Sequence, residues 1–211
     1  MIVRAFSRWW RGLGAASPYD ATEVVSVDLE TTSLDTRSAE ILSIAAVPIR
    51  DRRILLSERF EQVVRATAAV DREAVKYHRL RPVDVQHGAA PGEAARAFVE
   101  WLGGRPLLGY CIGFDCAMLE QALGGASRGD GIDGPRFDLR ELYRRRALRR
   151  NPDDAPSQAL DDILAALGVP KLARHTALGD ATAVAMAFLG LKFGQPDTRV
   201  PLRRGATATR G

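Results

Sequence analysis

The first half of the chain alternates between short apolar runs and short polar stretches. The runs are rich in β-branched residues and cover Val24–Leu29, Ile41–Ile49 and Ile54–Val64, and turn-forming residues separate them. Strands this close in sequence favour antiparallel pairing, because parallel neighbours need a longer crossover connection. The pattern predicts a three-stranded antiparallel meander.

Beyond this region the apolar residues recur at the helical spacing of three to four positions. Five helices and one short strand are predicted. The strand is Leu107–Tyr110, between the first and second of these helices. The inward residues of the five helices are, in order, Ala94, Phe98, Trp101 and Leu102 before Gly103; Met118, Leu119, Ala122 and Leu123; Leu142, Tyr143 and Ala147; Leu160, Ile163, Leu164 and Leu167 before Gly168; and Val184, Phe188 and Leu191. Strands first, then alternating strands and helices, predict a mixed-sheet α/β domain with helices on its faces.

The two ends of the chain differ from this middle part. Residues 1–20 hold apolar side chains at helical spacing among arginines, which predicts a basic amphipathic extension for a partner or a membrane surface, or a frayed end. Residues 195–211 form a basic tail of low apolar content, predicted to be disordered. Residues 21–194 are expected to form the folded domain. No segment resembles a secretory signal or a transmembrane helix, which favours the cytoplasm.

Net charge changes this picture only slightly. The excess of 30 basic over 26 acidic residues permits a phosphate-bearing partner without requiring one. Seven arginines nevertheless fall within residues 136–150. They form either a solvated helix face or a track for the phosphates of a nucleic acid strand.

Candidate chemistry begins at the end of the first apolar run. Asp28 and Glu30 alternate with Leu29 in a strand, so their carboxylates point to the same side. Two neighbouring carboxylates at a buried strand end repel each other unless a cation lies between them, and a hard divalent cation suits such ligands. The alternative is a solvated strand end.

Three further residues support the metal interpretation. Asp180 lies four positions before Val184 on the apolar side of the last helix, so it is predicted to face inward. His175, on the loop before this helix, could accept a proton from water near neutral pH. Asp115 follows the Leu107–Tyr110 strand. Their structural alternatives are a helix-start acid, a structural histidine and a helix N-cap, respectively.

The combination of these motifs resembles the DEDDh exonucleases, a DnaQ-like family that includes the epsilon proofreading subunit of bacterial DNA polymerase III. The resemblance spans roughly residues 22–193. It rests on three ordered motifs, 28–34, 109–115 and 175–181, and on the intervening pieces 77–80, 137–139 and 160–168.

This resemblance implies a ribonuclease H-like fold and a role for each matching position. Two Mg²⁺ or Mn²⁺ ions would be held by Asp28, Glu30 and Asp180, with Asp115 as a further ligand and His175 as the general base. The terminal nucleotide would be seated by Thr31, Thr32, Ser33, Leu34 and Phe114.

Two departures from the family pattern concern substrate preference. Ser33 stands where the family usually has glycine, and the pair Tyr110-Cys111 replaces a common His-Asn. If the loop needed a positive φ at position 33, serine would be strained there.

The sequence therefore predicts a two-metal-ion 3′→5′ exonuclease acting on single-stranded or frayed DNA ends, in proofreading or repair. DNA is expected in preference to RNA, and a DNA polymerase or another replication protein is a possible partner. The alternatives are an oligoribonuclease or RNA-trimming enzyme, and a polymerase-associated binding subunit.

Overall fold

A computed structural model describes residues 17–66, 80–125, 132–170 and 173–194 of the protein. The predicted N-terminal extension up to residue 16, the tail 195–211 and residues 77–79 of one family motif lie outside these ranges. The strands are β1 Glu23–Thr31, β2 Ile41–Arg50, β3 Arg53–Ile54, β4 Phe60–Val63, β5 Leu107–Gly109 and β6 Arg136–Asp138. The helices are α1 Pro82–Val85, α2 Pro91–Leu102, α3 Ile112–Ala122, α4 Leu139–Arg150, α5 Leu160–Ala166 and α6 Ala177–Phe193.

The antiparallel half of the sheet confirms the predicted meander with one change. β1 pairs with β2 along its whole length, and both β3 and β4 pair with β2. The third apolar run is therefore two short strands rather than one, since a 3₁₀ turn at Leu56–Glu58 separates them. All of these pairings are antiparallel.

The parallel half lies on the other side of β1. β5 pairs parallel with β1, and β6 pairs parallel with β5, which gives the order β3-β2-β1-β5-β6. α2 ends where predicted, because Gly103 adopts the left-handed conformation that terminates a helix. The mixed sheet with helices on its faces confirms the predicted fold class. Among the described helices, none combines the length and hydrophobicity that crossing a bilayer requires.

The side chains of β1 divide between two cores, one on each face of the sheet. Val25, Val27 and Leu29 pack with residues of α2 and α3. Val24 belongs to the opposite core, which α4, α5 and α6 cover. Since strand side chains alternate, the polar residues at positions 26, 28 and 30 share the face of Val24 and point towards these three helices.

Candidate active site

Strand β1 and helix α6 approach each other closely at the site. The buried hydroxyl of Ser26 donates a hydrogen bond of 2.8 Å to the carbonyl oxygen of Ala181. Ala181 is fully buried, as are Ala183, Ala185 and Ala187 in the same helix. The contact fixes the first turn of α6, with Asp180, beside the end of β1.

The loop entering α6 is packed onto the start of that helix. Thr176 is the N-cap residue, and its hydroxyl accepts a hydrogen bond of 3.1 Å from the Gly179 N–H and donates one of 2.8 Å to the Ala173 carbonyl. A Cβ at Gly179 would overlap this same carbonyl oxygen. Glycine at 179 is therefore required for the loop to pack here. His175 has φ of +64° within this tight turn.

Three predicted metal ligands meet at this point. Asp28, Glu30 and Asp180 each offer a carboxylate oxygen, and these oxygens lie within 4.8 Å of one another. Asp180 is held from both sides, since its Oδ2 accepts a hydrogen bond of 3.3 Å from the His175 N–H and its Oδ1 contacts the Arg174 guanidinium. Clustered carboxylate oxygens are the ligands that hard cations such as Mg²⁺ and Mn²⁺ prefer. The residues present therefore fit the implied cofactor.

The electrostatics of the cluster favour a cation. Burial and then the charges of neighbouring carboxylates, Asp115 and Asp180 foremost, raise the pKa of Asp28 well above its usual range. Burial, followed by the charge of Asp180, raises the pKa of Glu30 to about 7. A divalent cation would offset this repulsion and allow both Asp28 and Glu30 to ionise near neutral pH.

Asp115 is close to Asp28 but is not one of the three residues whose carboxylate oxygens all lie within 4.8 Å of one another. It is buried in the first turn of α3, and burial, together with the charges of Asp138 and Glu30, raises its pKa to about 8 although backbone hydrogen bonds lower it in part. The alternative that Asp115 is a helix N-cap is wrong, because Cys111 occupies the N-cap position, with φ of +58°. Its burial beside Asp28 leaves its predicted metal role open as a proposal.

The predicted base, His175, is placed at the edge of the cluster. Its backbone contacts Asp180, and its side chain is exposed. The backbone of His175 therefore adjoins the cluster, and its side chain is accessible to water.

The predicted nucleotide-binding loop follows directly from β1. The Thr32 N–H donates to the Glu40 carbonyl at 2.9 Å, and the Thr31 hydroxyl donates to the Ser33 carbonyl at 2.8 Å. Ser33 is absent from the described residues with positive φ, so the strain considered for serine at this position does not arise. Leu34 is 86% exposed, so this loop presents an apolar side chain at the surface. Phe114 is partly buried against the core of α2 and α3.

The arginine-rich helix α4 is largely tied to the protein itself. Arg144 and Arg145 both pair with Glu141, and Arg146 donates to the Gly190 and Leu191 carbonyl oxygens at the end of α6. These contacts give three of the arginines partners within the protein, and the phosphate track stays a prediction.

Two residues next to the site were not singled out from the sequence. Arg174 bridges Asp161 and Asp180, with 3.0 Å between its Nε and the Asp161 Oδ1. Asp138 caps α4 by accepting a hydrogen bond from the Arg140 N–H, and its charge acts on Asp115. The position of Arg174 directly before His175 was the available signal for the first. For Asp138, the available signal was its position at the end of β6, which lies beside β5, the strand that precedes Asp115.

The fold and the acid cluster together place the chain in the class of ribonuclease H-like nucleases. The RNase_T model, described as an exonuclease family, matches residues 25–188. The chain belongs to this exonuclease family, which confirms the DnaQ-like resemblance of its motifs.

Relatives in sequence carry names of the replication machinery. The chain is 32% identical over 180 residues to a "DNA polymerase III subunit epsilon-like protein" of Rhodobacter capsulatus, and the match covers 84% of the chain and 25% of that protein. It is 25% identical to a "DNA polymerase III PolC-type" of Thermotoga petrophila, covering 85% of the chain and 12% of that protein. The chain thus spans a quarter or less of these curated relatives.

Solved structures share the fold at lower identity. Exonuclease I of E. coli in complex with a dT13 oligonucleotide aligns with a TM-score of 0.67 at 20% identity, over 83% of the chain and 42% of that structure. Cell-death related nuclease 4 aligns with a TM-score of 0.67 at 14% identity, over 80% of the chain and 62% of that structure. These likenesses support the ribonuclease H-like fold.

Proposed function

We propose that this exonuclease is metal-dependent and degrades single-stranded or frayed DNA ends in the 3′→5′ direction, releasing nucleoside 5′-monophosphates. The observation that carries the proposal is the meeting of the Asp28, Glu30 and Asp180 carboxylates within 4.8 Å in a chain of an exonuclease family. Such a cluster is unfavourable without a cation, and cations at such a cluster serve phosphodiester hydrolysis.

The metal-binding roles are assigned to the acids of the cluster. Asp28, Glu30 and Asp180 would hold two divalent cations, Mg²⁺ or Mn²⁺, and Asp115 would contribute from the first turn of α3. When bound, the cations supply Lewis-acid activation of water and stabilise the negative charge on the departing 3′-oxygen. The hydrogen bond from the His175 N–H holds Asp180 in position for this role.

The general base is assigned to His175. Its backbone N–H bonds to Asp180 and its side chain is exposed, so the imidazole would turn towards the cluster and take the proton of the attacking water. The left-handed backbone conformation of His175 and the N-cap hydrogen bond of Thr176 constrain the orientation of the His175 side chain on this loop.

The nucleotide site is assigned to the loop after β1 and to Phe114. The exposed Leu34 would pack against the terminal base, which removes its apolar surface from water. Backbone groups of Thr31, Thr32 and Ser33 would position the sugar and the phosphate. An apolar contact with the face of a base does not read its hydrogen-bonding edge, so it accepts any sequence, as degradation from an end requires.

DNA as the substrate and a polymerase as the partner are also proposals. Sequence relatives named as DNA polymerase III proteins and a structural neighbour solved with a DNA oligonucleotide support DNA over RNA. The cytoplasmic location stays a prediction as well.

A labelled-oligonucleotide time course tests these assignments. Matched DNA and RNA strands carrying a 5′ or a 3′ label are incubated with Mg²⁺, Mn²⁺ or a chelator. We expect a ladder of shortening 5′-labelled DNA, immediate release of labelled 5′-monophosphate from 3′-labelled DNA, and no reaction with chelator. Release from the 5′ end would contradict the direction, and cleavage of RNA alone would favour the RNA-trimming alternative.

A further inference from the structure

Arg174 is held between two carboxylates that belong to different helices. Its Nε donates to the Oδ1 of Asp161, in the first turn of α5, at 3.0 Å. Its Nη1 contacts the Oδ1 of Asp180, in the first turn of α6. The side chain is only 15% exposed. An arginine in such a position is a fixed positive charge, because the guanidinium does not lose its proton in proteins.

The charge of Arg174 acts on the whole acid cluster. It opposes the rise in pKa of both Asp28 and Glu30 as well as contacting Asp180 directly. A guanidinium here and a divalent cation among the same carboxylates repel each other strongly, since both are only partly shielded from one another by water. The two positive charges therefore compete for Asp180.

Asp161 gives the guanidinium a second place to bind. Its side chain is 47% exposed, and its contact with Arg174 already exists beside the contact with Asp180. Arg174 can turn away from Asp180 while keeping its charge paired, because the guanidinium carries five donors and a rotation exchanges one donor for another. When a cation enters the cluster, Arg174 therefore still has Asp161 as a carboxylate partner.

We propose that Arg174 is a positioning residue that takes the place of a divalent cation at Asp180 until metal binds, and that Asp161 then retains its guanidinium. The proposal rests on the proposed metal-dependent function. In this arrangement Arg174 stabilises the acid cluster before metal loading and weakens metal binding. Asp161 opposes the second effect by drawing the guanidinium away.

Mn²⁺ binding to variants of both residues tests the competition, measured by titration calorimetry in the absence of nucleic acid. Arg174→Gln keeps a donor for Asp180 but removes the charge, so we expect Mn²⁺ to bind at least about tenfold more tightly. Asp161→Asn leaves Arg174 more strongly on Asp180, so we expect binding about two- to fivefold weaker. In the double variant, Asp161→Asn should add nothing, because its effect acts through Arg174.

Arg105→Gln is a matched control. Arg105 is a similarly shielded arginine, 26% exposed, that pairs with Glu23 far from the cluster. Its replacement should lower stability and leave Mn²⁺ affinity unchanged. Equal affinities of wild type and Arg174→Gln, or weaker binding by Arg174→Gln, would overturn the proposal. Should Arg174→Gln not fold, stronger or unchanged binding by Asp161→Asn would overturn it in the same way.

Thermal unfolding gives a second readout that does not depend on catalysis. Without metal, Arg174→Gln should unfold at a lower temperature than the wild type, since the cluster loses its internal cation. Saturating Mn²⁺ should then raise its midpoint by more than it raises the wild-type midpoint. An equal rise in both proteins would contradict the competition.

Hydrolysis of labelled DNA by the wild type separates this inference from the proposed function. Metal-dependent hydrolysis with unchanged affinity in Arg174→Gln would leave the function intact and remove Arg174 from the assigned role. A wild-type protein that neither binds Mn²⁺ nor cuts DNA would overturn the function, and the role of Arg174 with it.

Discussion

The acidic side chains at the two ends of strand β1 have pKa values shifted in opposite directions. Glu23, at the start, binds Arg50 at 3.0 Å and Arg105 at 2.7 Å. Burial acts to raise the pKa of Glu23, but the hydrogen bonds from both arginines outweigh it and hold the pKa below its usual range. At the other end, burial and neighbouring carboxylates raise the pKa of Asp28 and Glu30.

This difference distinguishes Glu23, which stabilises the fold, from Asp28 and Glu30, whose charges call for a bound ligand. Glu23 has protein cations on both oxygens, so its charge is satisfied by folding alone. Within the ranges that the structure describes, the clustered carboxylates have one arginine in contact, Arg174, which reaches Asp180. A strand end of the second kind costs stability and is expected where function requires it.

The largest effect is expected from a substitution in the acid cluster, at the end of β1 that carries Asp28 and Glu30. Asp28→Asn should lower the rate of nucleotide release by about 10³-fold or more, because the metals supply several kcal/mol of transition-state stabilisation. Glu23→Gln, on the same strand, should keep a rate near that of the wild type. Rates are measured on 5′-labelled DNA with Mg²⁺. More than a tenth of wild-type activity in Asp28→Asn would argue against a ligand role.

A second variant separates the base from the metal ligands. His175→Asn is preferable to alanine, because asparagine tolerates the left-handed backbone at this position. We expect a rate lower by about 10²–10⁴-fold and an unchanged Mn²⁺ affinity, since the backbone N–H rather than the imidazole bonds to Asp180. A large loss of Mn²⁺ affinity would instead make His175 part of the metal site.

The pH dependence of stability should differ with and without metal. Carboxyl groups with raised pKa keep their protons in the folded state while the unfolded chain releases them, so metal-free stability falls as pH rises. The fall extends from the ordinary pKa of 4.5 to about 7 for Glu30, and from the ordinary pKa of 3.8 to about 8 for Asp115. We expect the metal-free midpoint to drop by about 4 °C or more from pH 5 to pH 8.

Two controls sharpen this measurement. Glu30→Gln should show a smaller drop, because one titrating group of the cluster is removed. Mg²⁺ should also reduce the drop, since it binds the ionised carboxylates. A midpoint that rises with pH in the chelated wild-type protein would contradict the raised pKa values.

The smallest effect is expected at the structural end of β1. Glu23→Gln should lower the free energy of unfolding by about 1–2 kcal/mol, because the amide has no charge and a single accepting oxygen for two arginine donors, while Arg50 is partly exposed. Urea unfolding in chelator measures the loss. A substitution that removes a carboxylate from the acid cluster is expected to raise stability. A Glu23→Gln protein more stable than the wild type would therefore show that the two ends of β1 do not differ in this way.

Local pattern was sufficient for several elements of the fold and the site. Alternation along β1 placed Asp28 and Glu30 on one face, and helical spacing placed Asp180 inward at the start of α6. Gly103 ended α2 as expected. Each of these depends on backbone geometry that repeats every two or 3.6 residues, so a short stretch of sequence contains the information.

Tertiary structure alone decided what each acid meets. The break of the third apolar run into β3 and β4, the N-cap position of Cys111 and the pairing of Arg174 with Asp161 and Asp180 follow from no local period. Strand β1 and helix α6 make contact between residues 155 positions apart, through Ser26 and Ala181. Whether a carboxylate meets an arginine or another carboxylate depends on such distant contacts, and so do its burial and its pKa.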